Sequence, residues 1–292
     1  MAKNFLRKIR NLPTLPEVLA SILASLDDPR SSVTDLEKKI RYDQALTTKL
    51  LAVANSAYYG FRHPVTSVGR AVVAVGYNEV RNLAMGLSLV GFLHPSTFRN
   101  PQIARQLWLH SVAVSEAARM AARYVGLEDG DLAFTAGLLH DVGKVVLLAF
   151  FPDEVDELMV RMSQGEGLEE AEKAMEMSHQ AVGKALAEHW ELPASVAQVI
   201  SRHHLPMASR EHRGLVCTVH LADYLAHGLG LGDGYRSDRP ALDRAVLEEL
   251  KLPANRLAAL AKEFAERRVE VERLFQALLG LPAQDQPAAR PA

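Results

Sequence analysis

The eight residues Gly137-Leu138-Leu139-His140-Asp141-Val142-Gly143-Lys144 put an imidazole, a carboxylate and an ammonium into a stretch that is otherwise almost wholly apolar. Burying ionisable groups is costly unless they are paired or coordinate a metal. Neutral imidazole and carboxylate are donors suited to zinc, iron or manganese. Lys144 follows His140 by four positions and Asp141 by three, so on a helix it sits one turn on, within reach of a phosphate held by such a metal. A lone His-Asp dipeptide is more often a satisfied histidine beside a capping aspartate. The pair therefore gains weight only from the donors in the rest of the chain.

Those donors are concentrated. Nine of the eleven histidines, His110 to His227, lie after residue 100. In chain order His110, His140-Asp141, His179, the pair His203-His204 and Asp223 each fall on a different expected helix, and converging helices can close a site. Two-metal hydrolytic centres need six or more N and O ligands around ions about 3.5 to 4 Å apart, often with a bridging carboxylate. Five imidazoles and two carboxylates meet that number. His203-His204 before Pro206 also reads as an exposed helix end. His220, three before Asp223, reads as a packing or orienting histidine, and His189, His212 and His227 read as surface residues. The single cysteine, Cys217, excludes a thiolate cluster and an internal disulfide framework.

The elements that must position these groups read as helices throughout. Apolar residues recur at three to four positions over 16–26, up to about 42, after Asp43, and over 67–75, 78–90, 103–125, 131–151, 155–163, 168–190, 195–204, 215–226, 243–250 and 254–279. A basic lead over 4–10 and a Thr14 cap before Pro16 precede them. No stretch alternates polar and apolar residues long enough for a strand. Residues 92–101, with two prolines and no helical stripe, mark a boundary, and 281–292 has almost nothing to bury and reads as a disordered tail.

A chain of 292 residues with 48 % hydrophobic and 23 % charged residues suits a globular protein of two ordinary domains. The formal net charge of −2 gives no global positive field for nucleic acid. No run of eighteen apolar residues and no cleavable leader stands out, so no membrane segment is expected and the cytoplasm is the expected compartment.

The wording of the chain also resembles a known family. Leu12-Pro13-Thr14-Leu15-Pro16, the stretch from Asp43 to Phe61 with its Asn55-Ser56-Ala57-Tyr58-Tyr59-Gly60 block, Val65-Thr66-Ser67-Val68, and Ala71 to Gly76 with Val80-Arg81-Asn82-Leu83 are similar to the HDOD family, the HD-related output domains of bacterial signalling proteins. The resemblance implies an all-α, HD-domain-like multi-helix bundle: an N-terminal HDOD helical subdomain over 1–98 and an HD-type helical subdomain over 99–280. The order of donors resembles the HD metal-dependent phosphohydrolases. That likeness implies His110, His140, Asp141 and Asp223 around one metal and His179, His203 and His204 as the further ligands of the HD-GYP phosphodiesterases, with Asp141 and Lys144 in catalytic roles. The cofactors implied are one or two divalent ions of iron, manganese or zinc, acting on a phosphoester or nucleotide. Two departures stand out. The position where some two-metal members place a glutamate is Gln106, and no Gly-Tyr-Pro follows His204. Many HDOD members are non-catalytic, so the rival expectation is an adaptor whose surface around Asn55 to Phe61 docks a kinase, receiver or cyclase.

Overall fold

The structure is a computed structural model and describes residues 16–24, 33–56, 58–235 and 241–280. The basic lead, the Thr14 cap and the tail read from the sequence lie outside these residues. Among those described, the chain forms sixteen α-helices and two short 3-10 helices and no strand, which is the all-α class.

The first five helices are α1 (Glu17–Ala24), α2 (Val33–Tyr42), α3 (Gln44–Ala54), α4 (Val68–Val75) and α5 (Tyr77–Phe92). Their starts follow capping chemistry. Asp43 accepts from the Leu46 amide at 2.9 Å and Ser67 from the Arg70 amide at 3.2 Å, each satisfying a donor that the helix itself leaves unpaired. Asn55 closes the loop between α3 and α4: its Nδ2 donates to the Leu51 and Val65 carbonyls at 2.8 Å and its Oδ1 accepts from the Val65 amide at 2.7 Å. Tyr59 then donates to Glu79 of α5 at 2.6 Å.

The centre of the molecule is α6 (Pro101–Val125), started by Asn100 accepting from the Ile103 amide at 3.2 Å and ended by Gly126 at φ 73°. It is buried around most of its circumference, with Ala113, Ala117, Ala118, Ala121 and Ala122 fully enclosed, as expected of a helix in the middle of a bundle. Around it pack α7 (Gly130–Leu139), α13 (Arg213–Gly228), α15 (Ala254–Glu266) and α16 (Arg268–Leu278). A Cβ on Gly137 would stand 2.9 Å from the Ser115 Cα, so this glycine lets α7 lie directly on α6. Arg119 of α6 reaches back to Glu79 at 2.9 Å, and α16 packs on α3, α5 and α6, so buried side chains from both sides of residue 98 share one core.

The remaining helices are α8 (Val142–Phe150), α9 (Pro152–Ser163), α10 (Leu168–Ala174), α11 (His179–His189), α12 (Ala194–Arg202) and α14 (Arg244–Glu249). Three of the long helices read from periodicity are each two helices. The 131–151 stretch breaks at His140-Asp141, 168–190 breaks where Glu176 takes φ 52° and Ser178 caps α11, and 254–279 breaks at Arg267. By length and composition Gly130–Phe150 could cross a membrane, yet 89 % of that window is buried among the other helices, where it forms part of the core.

Candidate metal centre

The break at His140-Asp141 is what aims the site. Asp141 stands at the N-cap of α8 with φ −102° and ψ 17°, but its side chain makes no capping hydrogen bond. Both oxygens face the histidines instead. Oδ2 lies 3.4 Å from His140 Nε2 and 3.9 Å from His110 Nε2; Oδ1 lies 3.4 Å from His203 Nε2 and 3.6 Å from His179 Nε2. Asp223 of α13 places Oδ1 at 3.2 Å from His110 Nε2. Ligand atoms about 2.0–2.1 Å from one cation stand about 3.0–3.4 Å from each other, so these spacings are near those of a donor shell.

The donors fall into two groups that share Asp141. His110, His140 and Asp141 form one, to which a third set of His110, Asp223 and His227 is joined through His110; Asp141, His179, His203 and His204 form the other, with the donor atoms in each of these three sets within 4.8 Å of one another. His110, His140, Asp141, His179, His203 and Asp223 are at most 2 % exposed.

The outer faces of the rings fix which nitrogen points inward. Nδ1 of His110 donates to the Leu231 carbonyl at 2.7 Å, Nδ1 of His140 to the Gly137 carbonyl at 2.7 Å, and Nδ1 of His203 to the Val199 carbonyl at 3.1 Å. Nδ1 of His179 donates to Glu172 Oε1 at 2.6 Å, and the same oxygen accepts from the His179 amide at 3.0 Å. A carbonyl or carboxylate can only accept, so Nδ1 carries a proton in each ring, and Nε2 is the nitrogen turned to the cluster, the one whose lone pair a metal would take. This is the outer hydrogen bonding that metal-binding histidines show. Nε2 of His110, His140 and His204, with Oδ1 of Asp141 and Asp223, have no hydrogen-bond partner although buried. Buried polar atoms are normally satisfied. A set of them converging from five helical segments is a cluster that could hold a metal.

The electrostatics suit a cation. Burial lowers the proton affinity of His140, and burial together with His203 and His179 lowers that of His204 strongly, so both rings are neutral donors. Burial acts in the same direction on His110, but the Asp223 carboxylate outweighs it and the net shift is upward. Burial would raise Asp141 and Asp223; the Lys144 ammonium holds Asp141, and His110 with His227 hold Asp223, well below the usual carboxylate range.

All seven donors expected from the sequence, His110, His140, Asp141, His179, His203, His204 and Asp223, are brought together. His204, at the end of α12, is partly exposed, while its neighbour His203 is enclosed. Lys144 is turned inward, 2.6 Å from Asp141 Oδ2 and 2.6 Å from Asp233 Oδ2, and is 2 % exposed. His220 donates from Nδ1 to the His203 carbonyl at 2.7 Å, an orienting contact. His189 and His212 are exposed. His227 is not a surface residue: its side chain is 4 % exposed and its Nδ1 lies 2.9 Å from Asp223 Oδ1, because position i+4 from Asp223 on α13 faces the same cluster. That spacing was available in the sequence. Glu172 and Asp233 had no such signal, since each reaches the site from a separate segment. Gln106 lies one turn before His110 and stands against Gly234.

The HDOD domain family matches this chain over residues 12–206. An uncharacterised protein of Treponema pallidum (strain Nichols) is 26 % identical over 230 residues, 76 % of this chain, and the match spans 44 % of that longer protein. Among solved structures, an HDOD domain protein of unknown function from Geobacter sulfurreducens superposes with a TM-score of 0.79 at 25 % identity, covering 95 % of this chain and 99 % of that one. A candidate signal transduction protein from Marinobacter aquaeolei VT8 gives 0.77 at 25 % identity over 92 % of this chain and 60 % of its own. A candidate phosphohydrolase from Shewanella amazonensis SB2B shares the fold, with a TM-score of 0.75 at 22 % identity and coverage of 94 % and 97 %. With two thirds of its length matched and its helices arranged as in these relatives, the chain belongs to the HDOD domain family.

Proposed function

We propose that this protein is a signalling output module whose buried cluster holds one or two divalent iron, manganese or zinc ions and hydrolyses a phosphoester. The carrying observation is the set of Nε2 and carboxylate atoms that converge around Asp141, of which Nε2 of His110, His140 and His204 and Oδ1 of Asp141 and Asp223 have no hydrogen-bond partner. A divalent cation there supplies Lewis-acid chemistry toward a phosphoryl group. His110, His140 and Asp223 would hold one ion and His179, His203 and His204 the other, with Asp141 between them. Glu172 and the Leu231 and Gly137 carbonyls keep the rings turned inward.

A cleft of about 630 Å³ lined by Gln106, Met159, Met162, Leu168, Gly234 and Tyr235 is the proposed approach for substrate. Gln106 is one turn from His110, Leu168 one turn from Glu172, and the Tyr235 ring lies 5.9 Å from Lys144 Nζ. Among the described residues, no lysine or arginine lines this cleft. The lack of a Gly-Tyr-Pro element favours a phosphomonoester or a linear phosphodiester over a cyclic dinucleotide.

One observation favours the second reading, an adaptor with a structural metal: of the seven donors only His204 is partly exposed, and Lys144 is already paired twice. In that case the Asn55 to Phe61 surface meets a kinase, receiver or cyclase. Elemental analysis of protein purified without chelator tests the metal, with at least one equivalent expected and less than a tenth sinking it. Turnover of bis(p-nitrophenyl) phosphate and p-nitrophenyl phosphate by the loaded protein, set beside cyclic di-GMP, separates the two readings. Metal without turnover of any of them leaves the adaptor.

A further inference from the structure

The segment after α13 enters the cluster from outside the region matched by the family, and it brings a carboxylate that the seven donors do not include. Leu231 accepts from His110 Nδ1 at 2.7 Å, and Asp233 Oδ1 accepts from the Tyr235 amide at 2.9 Å. Gly234, at φ 79°, stands against Gln106, where a Cβ would come 2.8 Å from its Oε1, so this turn is seated closely on α6. Asp233 is fully buried, and its Oδ2 lies 2.6 Å from Lys144 Nζ.

Lys144 thus sits between two enclosed carboxylates, Asp233 on one side and Asp141 on the other. That arrangement has a consequence for Asp141. A cation beside Asp141 and the ammonium of Lys144 are like charges competing for the same oxygens, in surroundings where charges are screened little. With Asp233 present, the ammonium keeps a counter-charge when Asp141 turns its electrons to a metal. Without it, the Lys144 charge falls on Asp141 and repels any cation there.

We propose that Asp233 is a positioning residue of the metal centre, neutralising Lys144 so that Asp141 remains an anionic ligand shared by both halves of the cluster. The inference rests on the metal reading above. It assigns Lys144 a place in the charge balance of the site in preference to a direct phosphate contact.

The test is cobalt(II) titration of the chelator-stripped full chain, read by calorimetry and by the visible absorption of bound cobalt, with circular dichroism of each variant. Asp233→Asn is expected to stay folded and bind cobalt at least tenfold more weakly. Lys144→Met with Asp233→Asn replaces the whole pair by neutral side chains, and affinity is expected to return to within threefold of the parent. A purely structural Asp233 would leave the double variant as weak as the single one, and that result overturns the proposal; so does parental affinity in Asp233→Asn. If Asp233→Asn does not fold, the double variant decides, because neutral replacement of a buried pair is better tolerated than removal of one partner: near-parental cobalt affinity supports the proposal and a tenfold loss overturns it. A parent that binds no cobalt fails the metal reading itself, an outcome distinct from all of these.

Discussion

At Asp141 one carboxylate faces four imidazoles and an ammonium, all nearly or fully buried. Its replacement by alanine removes the atom pair common to both donor groups, so metal is expected to be lost from both halves. The fold is expected to survive, since the apolar helices around α6 do not depend on the cluster. Binding to the folded state alone contributes RT ln(1 + [L]/Kd), about 2.7 kcal/mol when free metal exceeds Kd a hundredfold. Asp141→Ala should therefore melt cooperatively at a lower temperature than the metal-loaded parent and show no further fall on adding chelator. Calorimetry with and without chelator, alongside elemental analysis, checks this, and full metal content in the variant would contradict it. Glu172 carries a narrower expectation. Glu172→Gln weakens the acceptor that holds Nδ1 of His179, and such outer-contact changes cost about 10–100-fold in metal affinity. The loss should be confined to the half with His179, His203 and His204, so metal analysis should show one equivalent retained where the parent holds two. The convergence of His110, His140, Asp141, His179, His203, His204 and Asp223 was legible in the sequence because these residue types are unusual in apolar helices. Glu172 and Asp233 were not, because a carboxylate in a polar stretch looks the same whether it points to solvent or to a histidine.

At the scale of elements, the sequence showed where helices lie better than where they break. Hydrophobic periodicity continues across His140-Asp141 because α7 and α8 bury adjoining faces, so the turn that aims Asp141 leaves no mark in the pattern. Gly143 does carry a mark, and its meaning is geometric: a Cβ there would fall on the His179 carbonyl oxygen and 2.9 Å from the Gly183 amide nitrogen. The glycine brings α8 against the start of α11 and so sets the distance between Asp141 and His179. Gly143→Ala must push backbone against backbone, and overpacking of this kind costs about 1–3 kcal/mol or more. The expected outcome is a lower melting temperature together with loss of metal at the His179 half, whereas Gly214→Ala, where a Cβ meets nothing within 4 Å, serves as the neutral control. Equal metal content in Gly143→Ala and the parent would show that this approach does not set the site.

Over the whole molecule, the site is distributed among helices that the chain brings together late, with Asp223 and the Leu231 carbonyl both beyond residue 206, where the family match ends. The fold class was legible because every long stretch keeps a helical period; the joint core across residue 98 was not, since contacts such as Arg119 with Glu79 depend on how helices cross. The buried cluster also makes stability depend on pH in a direction that can be worked out. His140, His204 and His220 have folded-state values lowered, by burial first, so they stay neutral where the unfolded chain would take up protons. Their contribution is present above the unfolded histidine value, about 6.5, and is lost as pH falls below it. His110, with its value raised, acts oppositely: what it adds is complete below about 6.5 and disappears as pH rises through its folded value. Three groups against one leave a net proton uptake on unfolding. Asp141, Asp223 and Asp233 have lowered values and add a further loss only below about 3.9. Each net proton steepens the decline by about 1.4 kcal/mol per pH unit. Urea titration of chelator-stripped protein at pH 7.5, 6.5 and 5.5 should give midpoints that fall with acidification, and a His204→Gln variant should flatten that slope; a midpoint that holds steady or rises between pH 7.5 and 5.5 would show that these rings are not held neutral by the fold.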